Sequence, residues 1–411
     1  MIYDCIVIGA SAAGLMSAIT AKSKGGNVLI LEGQKKPGAK ILMSGGTRCN
    51  VTNKLVTDQD YESEHKRFVK HVLAAFPGEK TIQFFEALGV RFVCEKGGKY
   101  FPTTHSGKTI LDALLNKIDQ ARIDLQVGRR VKVIKKEKNY FSVEGDQFSY
   151  QTKTVVLCTG GLSYPSTGSD GVGYKFAKQF GHSIVETLPA LTPLTTHDPM
   201  WKSISGVALP CQLTLKVDGK KEKVCEGDFL FTHLGFSGPV ALDISRHWLK
   251  ASRHHQVEMM VNWLPGLNGS LDEDVMLYAK KFPKRLIKTY LIELLPERFV
   301  EIILGKMNIK ADLWLNQLKQ SDRKKIGEYL GCYPLEVAGV VGYSKAEVTA
   351  GGVQLNELHH QTMESKLQLG LFFAGEICDV DGRIGGFNFQ WAWASGYVAG
   401  CGVGKKGKGC D

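Results

Sequence analysis

Asp4-Cys-Ile-Val-Ile-Gly-Ala-Ser-Ala-Ala-Gly14 is where the fold is decided. The apolar run Cys5 to Ile8 ends on a glycine. Small residues then lead into the apolar helix expected from Ala13 to Lys24. A second buried run, Asn27-Val-Leu-Ile-Leu-Glu32, follows at once. Strand, tight turn, helix and strand in this order make a βαβ unit, which predicts a parallel sheet covered by helices. Gly9 to Gly14 occupies the place of a dinucleotide fingerprint, with Ser11 at the middle glycine and Ala12 and Ala13 opening the helix. Gly9 permits the turn, and Gly14 lets the helix sit close to the strand. A small residue at position 11 leaves backbone N–H groups free to meet a pyrophosphate at the helix N-terminus. Glu32 ends the second strand, where an acid accepts hydrogen bonds from ribose hydroxyls.

The choice between a nicotinamide and a flavin dinucleotide turns on what surrounds this unit. Pro37-Gly-Ala-Lys40 and Ser44-Gly-Gly-Thr-Arg-Cys-Asn50 form a polar, glycine-rich run that a simple NAD fold does not need. Gly45, Gly46, Thr47, Arg48, Cys49 and Asn50 suit a backbone wrapped around a flat polar ring and a phosphate, or else a glycine loop with an arginine ion pair. Val155-Val-Leu-Cys-Thr-Gly-Gly161 is another buried strand running into glycines, and Thr159 and Gly160 at its end are candidate cofactor contacts. Near the other end of the chain, Gly375 and Glu376 follow the core strand Leu371-Phe-Phe-Ala374, with Asp379 and Asp381 just beyond. An acid there can hold ribityl hydroxyls. Gly385-Gly-Phe-Asn-Phe-Gln390 then opens an apolar helix. Its partially positive N-terminus, placed beside Gly385, Gly386, Phe387 and Asn388, would stabilise a reduced, anionic flavin ring. Phe387, Phe389, Trp391 and Trp393 are equally read as core packing, and for the two tryptophans that reading is preferred. There is no second glycine fingerprint. Gly168-Ser-Asp-Gly-Val-Gly173 has the spacing reversed, so a nicotinamide is expected only as a transient reductant. The expected cofactor is FAD.

Working outward, residues 66–90 read as helical with Phe68, Val72, Leu73, Phe76, Phe84, Phe85 and Leu88 on one face, and Ile110 to Ala121 as another helix. Val131 to Val143 reads as a hairpin with one wet face. The pattern changes after Pro189. The expected division is a discontinuous Rossmann-like FAD-binding domain, 1–189 and 346–400, with an inserted small β-domain, 190–265, a helical basic cap, 266–345, and a flexible Gly/Lys tail, 401–411. Net charge is +11 over 411 residues. Between Met276 and Gly331, twelve Lys/Arg face six Asp/Glu. That excess is read either as solvated helix faces or as a surface for a polyanion such as RNA. No stretch reaches the ~18 apolar residues that span a bilayer. The start lacks the basic flank of a signal peptide. Ten scattered cysteines without a CxxC pair point to free thiols in a reducing cytoplasm, and no metal site is expected.

The runs Ser44 to Asn53, Phe231-Thr-His-Leu-Gly-Phe-Ser-Gly-Pro239, Ala346 to Val353, Ala374 to Gly382 and Gly385 to Ala394 resemble the bacterial aminoacetone-oxidase-type FAD-binding family. The resemblance covers nearly the whole chain in order. It implies a Rossmann-like FAD domain, an inserted β-domain and a helical cap. It also implies FAD contacts at Ala13, Glu32, Lys40, Gly45 to Asn50, the Val131 backbone near the adenine, and Asp379 to Asn388. Ser11 and Thr47 stand where the family usually has glycine. Members have been linked to amine oxidation, to reduction of conjugated steroid ketones and to reduction of uridine in large-subunit ribosomal RNA. The run Asn388 to Trp393 is most similar to the ribosomal RNA dihydrouridine synthase branch. Uridine reduction implies a hydride to C6 and a proton to C5. The candidate acids are Cys49 and His233, the alternatives being a packing thiol and a structural histidine. The basic helices of 276–331 would then hold RNA. A small-molecule oxidase or enone reductase, and a non-catalytic redox sensor using Cys401 and Cys410, are the rival readings.

Overall fold

In the computed structural model, residues 2–267 and 270–403 are described. They divide into two compact units, Met1–Pro189 with Ala346–Asp411, and Ala190–Lys345.

The first unit is built on a seven-stranded sheet. Its strands are β1 (Ile2–Ile8), β2 (Val28–Leu31), β3 (Asp124–Gln126), β4 (Val131–Lys136), β5 (Phe141–Gly145), β6 (Phe148–Leu157) and β7 (Leu371–Phe373). The parallel part runs β3-β2-β1-β6-β7, and the β4–β5 hairpin joins antiparallel to the first half of β6. β2 and β7 are buried at every position. This is the signature of a sheet covered on both faces. Register fixes the site. Ile8 lies level with Leu31 and Leu157, and Leu157 with Phe373. The segments that follow these four strands therefore emerge together at the carboxyl edge of the parallel sheet, where α/β folds bind ligands.

Helices α1 (Ala12–Ser23), α2 (Ala39–Met43), α3 (Gly107–Gln120) and α4 (Phe387–Gly402) belong to this unit. α1 and α4 cross with almost no side chain between them. A Cβ on Gly396 would lie 2.6 Å from the Ala13 carbonyl oxygen, and one on Gly400 2.5 Å from that of Ser17. The expected helix over 66–90 is instead two, Lys66–Ala75 and Gly78–Ala87. Pro77 causes the break: it has no N–H to donate and disfavours helical geometry at Phe76. The tail also begins later than expected. Cys401 and Gly402 end α4, and Cys401 is buried; Cys410 lies outside the described residues. No disulfide joins the nine described cysteines.

The second unit holds an antiparallel sheet centred on Val257–Asn262, Ala208–Val217 and Lys220–Phe231. Short strands Tyr333–Pro334 and Gly339–Val340, from beyond the helices, complete the same sheet. Trp201, Phe231 and Trp263 share one core with Phe299, Ile303 and Leu330. The expected β-domain and helical cap are thus one body. Among the described residues no helix is long and apolar enough to cross a membrane, and no cluster of potential metal ligands occurs.

Candidate functional site

An open cleft lies at the carboxyl edge of the sheet. Gly9, Ser11, Ala12, Glu32, Lys40, Val131, Thr159 and Gly160, each expected at the cofactor, all line it. Gly9 (φ 102°) has to be glycine, because its Cβ would lie 2.5 Å from the Cys158 carbonyl oxygen. Gly14 would bring a Cβ within 1.9 Å of the Gly9 carbonyl oxygen. Ser11 sits in extended backbone, so serine is tolerated without strain. Its hydroxyl accepts from Gly14 N at 3.2 Å and donates to the Cys158 carbonyl at 3.0 Å. The departure from glycine therefore caps α1 and ties it to the end of β6. The N–H groups of Ser11 and Ala12 have no acceptor among the described residues and open on the cleft. They are the donors an anion at a helix N-terminus uses.

The Glu32 carboxylate accepts from Ala10 N at 2.8 Å and Gln34 N at 2.7 Å. Burial pushes its carboxyl above its usual value, while those two N–H groups and Arg130 pull it back. A carboxylate held this way has oxygen lone pairs left for ribose hydroxyls. Gly160 (φ 70°) would carry a Cβ 2.2 Å from the Ser169 hydroxyl. The reversed glycine run thus packs against the turn that follows β6. Gly168 and Ser169 line the same cleft. Thr159 Oγ1 is buried without a hydrogen-bond partner there. Lys36, Arg129 and Arg130 also line the cleft. They sit in the irregular segments between strands and carry no motif, and no pattern in the sequence marks them.

The loop after α2 is strongly curled. Gly45, Gly46, Thr47 and Cys49 all have positive φ. Thr47 (φ 71°) therefore occupies a position where glycine would be relaxed. The Arg48 guanidinium donates to Glu95 at 2.9 and 3.2 Å and lies 4.0 Å from the centre of the Phe101 ring. Of the residues expected at the cofactor, this one forms the ion pair named as its alternative. Lys40 Nζ donates to Ser163 Oγ at 2.7 Å and to Glu376 at 2.5 Å. The Glu376 carboxylate also accepts from Ser163 Oγ, Thr349 N and Thr349 Oγ1. Lys40 and Glu376, expected separately at the cofactor, hold each other and join α2 to the turn after β7. Gly375 (φ 79°) presses on Ala13, whose own side chain is buried in the α1–α4 crossing.

α4 begins against the Asn50 loop. A Cβ on Gly386 (φ 93°) would lie 2.7 Å from the Thr52 carbonyl oxygen and 2.8 Å from Asn50 Oδ1. Asn50 Oδ1 is itself buried with no partner. Asn53 Nδ2 donates to the Gly385 carbonyl at 3.1 Å. Asn388 exchanges two hydrogen bonds with the Gly382 backbone, at 2.8 and 2.9 Å. No side chain caps the helix. Asp379 and Asp381 are buried at the same turn. Phe387 is core: Tyr61 packs on its edge and donates to its carbonyl at 2.9 Å. Trp391 and Trp393 are buried as expected, and their indole N–H groups hold the Gly375 and Val51 carbonyls. Gln390 went unread in the sequence. It is fully buried, accepts from the Thr52 and Thr81 hydroxyls and donates to the Phe76 carbonyl.

The two candidate acids are placed very differently. Cys49 is fully buried, and burial pushes its thiol up to about 12. His233 is exposed in the other unit, in a turn closed by reciprocal Thr232–Gly235 backbone hydrogen bonds at 2.7 and 3.2 Å.

The chain matches the HI0933-like protein Rossmann domain over residues 3–402. It belongs to that family. It is 35% identical over 401 residues to the ribosomal RNA dihydrouridine synthase of Escherichia coli (strain K12), covering 96% of each chain. It is 30% identical over 398 residues to the 3-dehydro-bile acid delta(4,6)-reductase of Clostridium scindens, covering 96% of this chain and 97% of that one. The 3-ketosteroid-delta4-(5alpha)-dehydrogenase of Rhodococcus jostii shares the fold, with a TM-score of 0.50 at 14% identity, over 98% of this chain and 97% of that one. The chain is a flavin-dependent oxidoreductase of this family, and the cleft fits a flavin dinucleotide. Free N–H donors sit at the start of α1, an anchored acid ends β2, and unpartnered buried acceptors stand at Thr159 and Asn50.

Proposed function

We propose that this protein reduces uridine to dihydrouridine in large-subunit ribosomal RNA, with NAD(P)H as reductant. The observation that carries the reading is the end-to-end similarity to a ribosomal RNA dihydrouridine synthase, 35% over 96% of both chains. Bound FAD would supply the hydride chemistry. The protein's own share is to hold it and to present the base. The start of α1 and Glu32 would take the adenosine end and pyrophosphate. The Asn50 loop and the N-terminus of α4 would face the ring. The uracil C5–C6 double bond is conjugated to the C4 carbonyl, so hydride enters at C6 and a proton at C5. His233, exposed in its fixed turn, is the proton donor we favour over the buried Cys49.

A target base has to leave its stack to be reduced, at a cost of a few kcal/mol. The basic helices within 276–331 would offset this by gripping flanking phosphates. Reduction of a conjugated small-molecule ketone is the second reading, favoured by the 30% identity to the bile acid reductase. The two are separated by incubating the protein with NADPH and unmodified ribosomal RNA, then digesting the RNA for mass spectrometry. A uridine that has gained two hydrogens supports the RNA reading. Unchanged RNA, together with turnover of a conjugated ketone by the same preparation, replaces it with the second.

A further inference from the structure

Lys280-Lys-Phe-Pro-Lys-Arg285 closes the first helix of the basic segment, Leu271–Lys281, and turns away from it. Phe282 takes the C-terminal cap position, its N–H donating to the Tyr278 carbonyl at 2.9 Å. Its side chain stands 48% exposed. Its ring is fixed rather than loose. It packs on Tyr278 at 5.1 Å between ring centres, and Tyr278 packs on the buried Tyr290 at 4.9 Å. The Arg285 guanidinium lies 5.9 Å from the Phe282 ring centre. A second exposed aromatic, Trp314 at 41%, is brought alongside. It bridges to Leu286, while Leu315 N donates to the Arg285 carbonyl at 2.9 Å and Asn316 N to that of Pro283 at 3.3 Å.

Charge around these rings is unevenly distributed. Glu293 is taken up by Arg285 and by the Tyr278 hydroxyl. Lys280, Lys281, Lys284 and Lys310 make no ion pair among the described residues, and Asp312 is the acid that stands with them unpaired. Lys280 and Lys281 complement the helix C-terminus. That role accounts for neither Lys284 nor two exposed aromatic rings. Aromatic faces among free cations are the arrangement that holds unpaired nucleotides: the rings stack on bases and the cations track the phosphates.

We propose that Phe282 and Trp314, with Lys280, Lys281 and Lys284, form a stacking platform for single-stranded RNA. It would hold nucleotides flanking the reactive base. The proposal rests on RNA being the partner and names where it is gripped.

The test uses the full-length, FAD-loaded protein and a short fluorescein-labelled oligouridylate, with binding followed by anisotropy over a salt series. Phe282→Ala should weaken binding about tenfold, since stacking contributes roughly 1–3 kcal/mol per base, and leave the salt dependence unchanged. Phe282→Trp should bind as wild type does. Replacing Lys280, Lys281 and Lys284 by Gln should flatten the slope of log K against log salt by about 2, at roughly 0.7 per phosphate contact. An unchanged circular dichroism spectrum and an unchanged denaturation midpoint of the Ala190–Lys345 unit show that each variant is folded. Wild-type binding by Phe282→Ala, an unflattened slope in the lysine variant, or no binding by the wild type would each overturn the platform. Inorganic polyphosphate competing equally against wild type and Phe282→Ala would do so as well, by reducing the site to charge alone. If ribosomal RNA is reduced normally by variants that also bind normally, the platform falls and the proposed function stands. If binding depends on Phe282 and no uridine is reduced, the proposed function falls and the platform stands.

Discussion

In the unit made of Met1–Pro189 and Ala346–Asp411, buried tryptophans are tethers; in Ala190–Lys345 they are filling. Trp391 and Trp393 donate to the Gly375 and Val51 carbonyls, so each ring fixes a loop of the candidate site. Trp263 of the other unit leaves its indole N–H without a partner among the described residues. It packs instead on Phe229 at 5.4 Å and Phe299 at 5.0 Å, and Trp201 stacks on Phe231 at 5.3 Å. Glycine also shapes the candidate site. At Gly9, Gly14 and Gly396 it lets backbone meet backbone around one cleft. The first unit is therefore expected to lose its ligand when geometry is disturbed. The second should lose stability when volume is removed.

The largest effect is expected at Gly14. A valine there has no room 1.9 Å from the Gly9 carbonyl, so the Gly14→Val protein should purify without flavin absorbance. A full flavin complement would break the reading of the turn. Trp201→Ala removes a fully buried ring from the other core. It should destabilise by about 3–5 kcal/mol in denaturant, with flavin content per folded molecule unchanged. Parallel loss of flavin would erase the contrast.

His182 sharpens it further. It is buried in the first unit between Glu357, 3.0 Å from Nδ1, and the Ser365 hydroxyl, 2.7 Å from Nε2. Burial depresses its pKa, against the pull of Glu357. The unfolded chain then takes up the proton first as pH falls. This contribution to stability is present above about pH 6.5, the ordinary histidine value, and is lost on acidification below it. The loss is at most about 1.4 kcal/mol per pH unit. His182→Gln should flatten that part of the stability–pH curve, and an identical slope in both proteins would rule the residue out. The smallest effect belongs to Thr47. Glycine at its positive φ should raise stability by about 1 kcal/mol, detectable as a shifted denaturation midpoint. A shift downward would mean that the threonine side chain makes a favourable contact outweighing its backbone strain.

These residues also mark how far the sequence could be read. Gly9, Gly14 and Glu32 were legible because their requirements are local: a strand, a turn and a helix at fixed spacing. The hairpin of β4 and β5 was legible from its alternation. Gln390 was not, because its partner Thr52 is 338 positions away. The pair Lys40–Glu376 spans 336, so each residue was read alone, as a cofactor contact. For Arg48 the ion pair stands in the sequence only as the alternative to a ring-and-phosphate wrap, because the approach of Glu95 and Phe101 is not local. The single core of Ala190–Lys345 was divided in two since its strands and helices separate cleanly along the chain, while the short strands that rejoin the sheet are two residues each.

The decisive measurement is a single-turnover experiment. Protein reduced anaerobically with NADPH is freed of excess reductant, mixed with unmodified large-subunit ribosomal RNA, and followed at the flavin absorbance. Reoxidation by that RNA, with dihydrouridine recovered in equal amount, is the expected result. Reduced flavin that persists in the presence of the RNA, yet is reoxidised at once by a conjugated ketone, would contradict the proposed function.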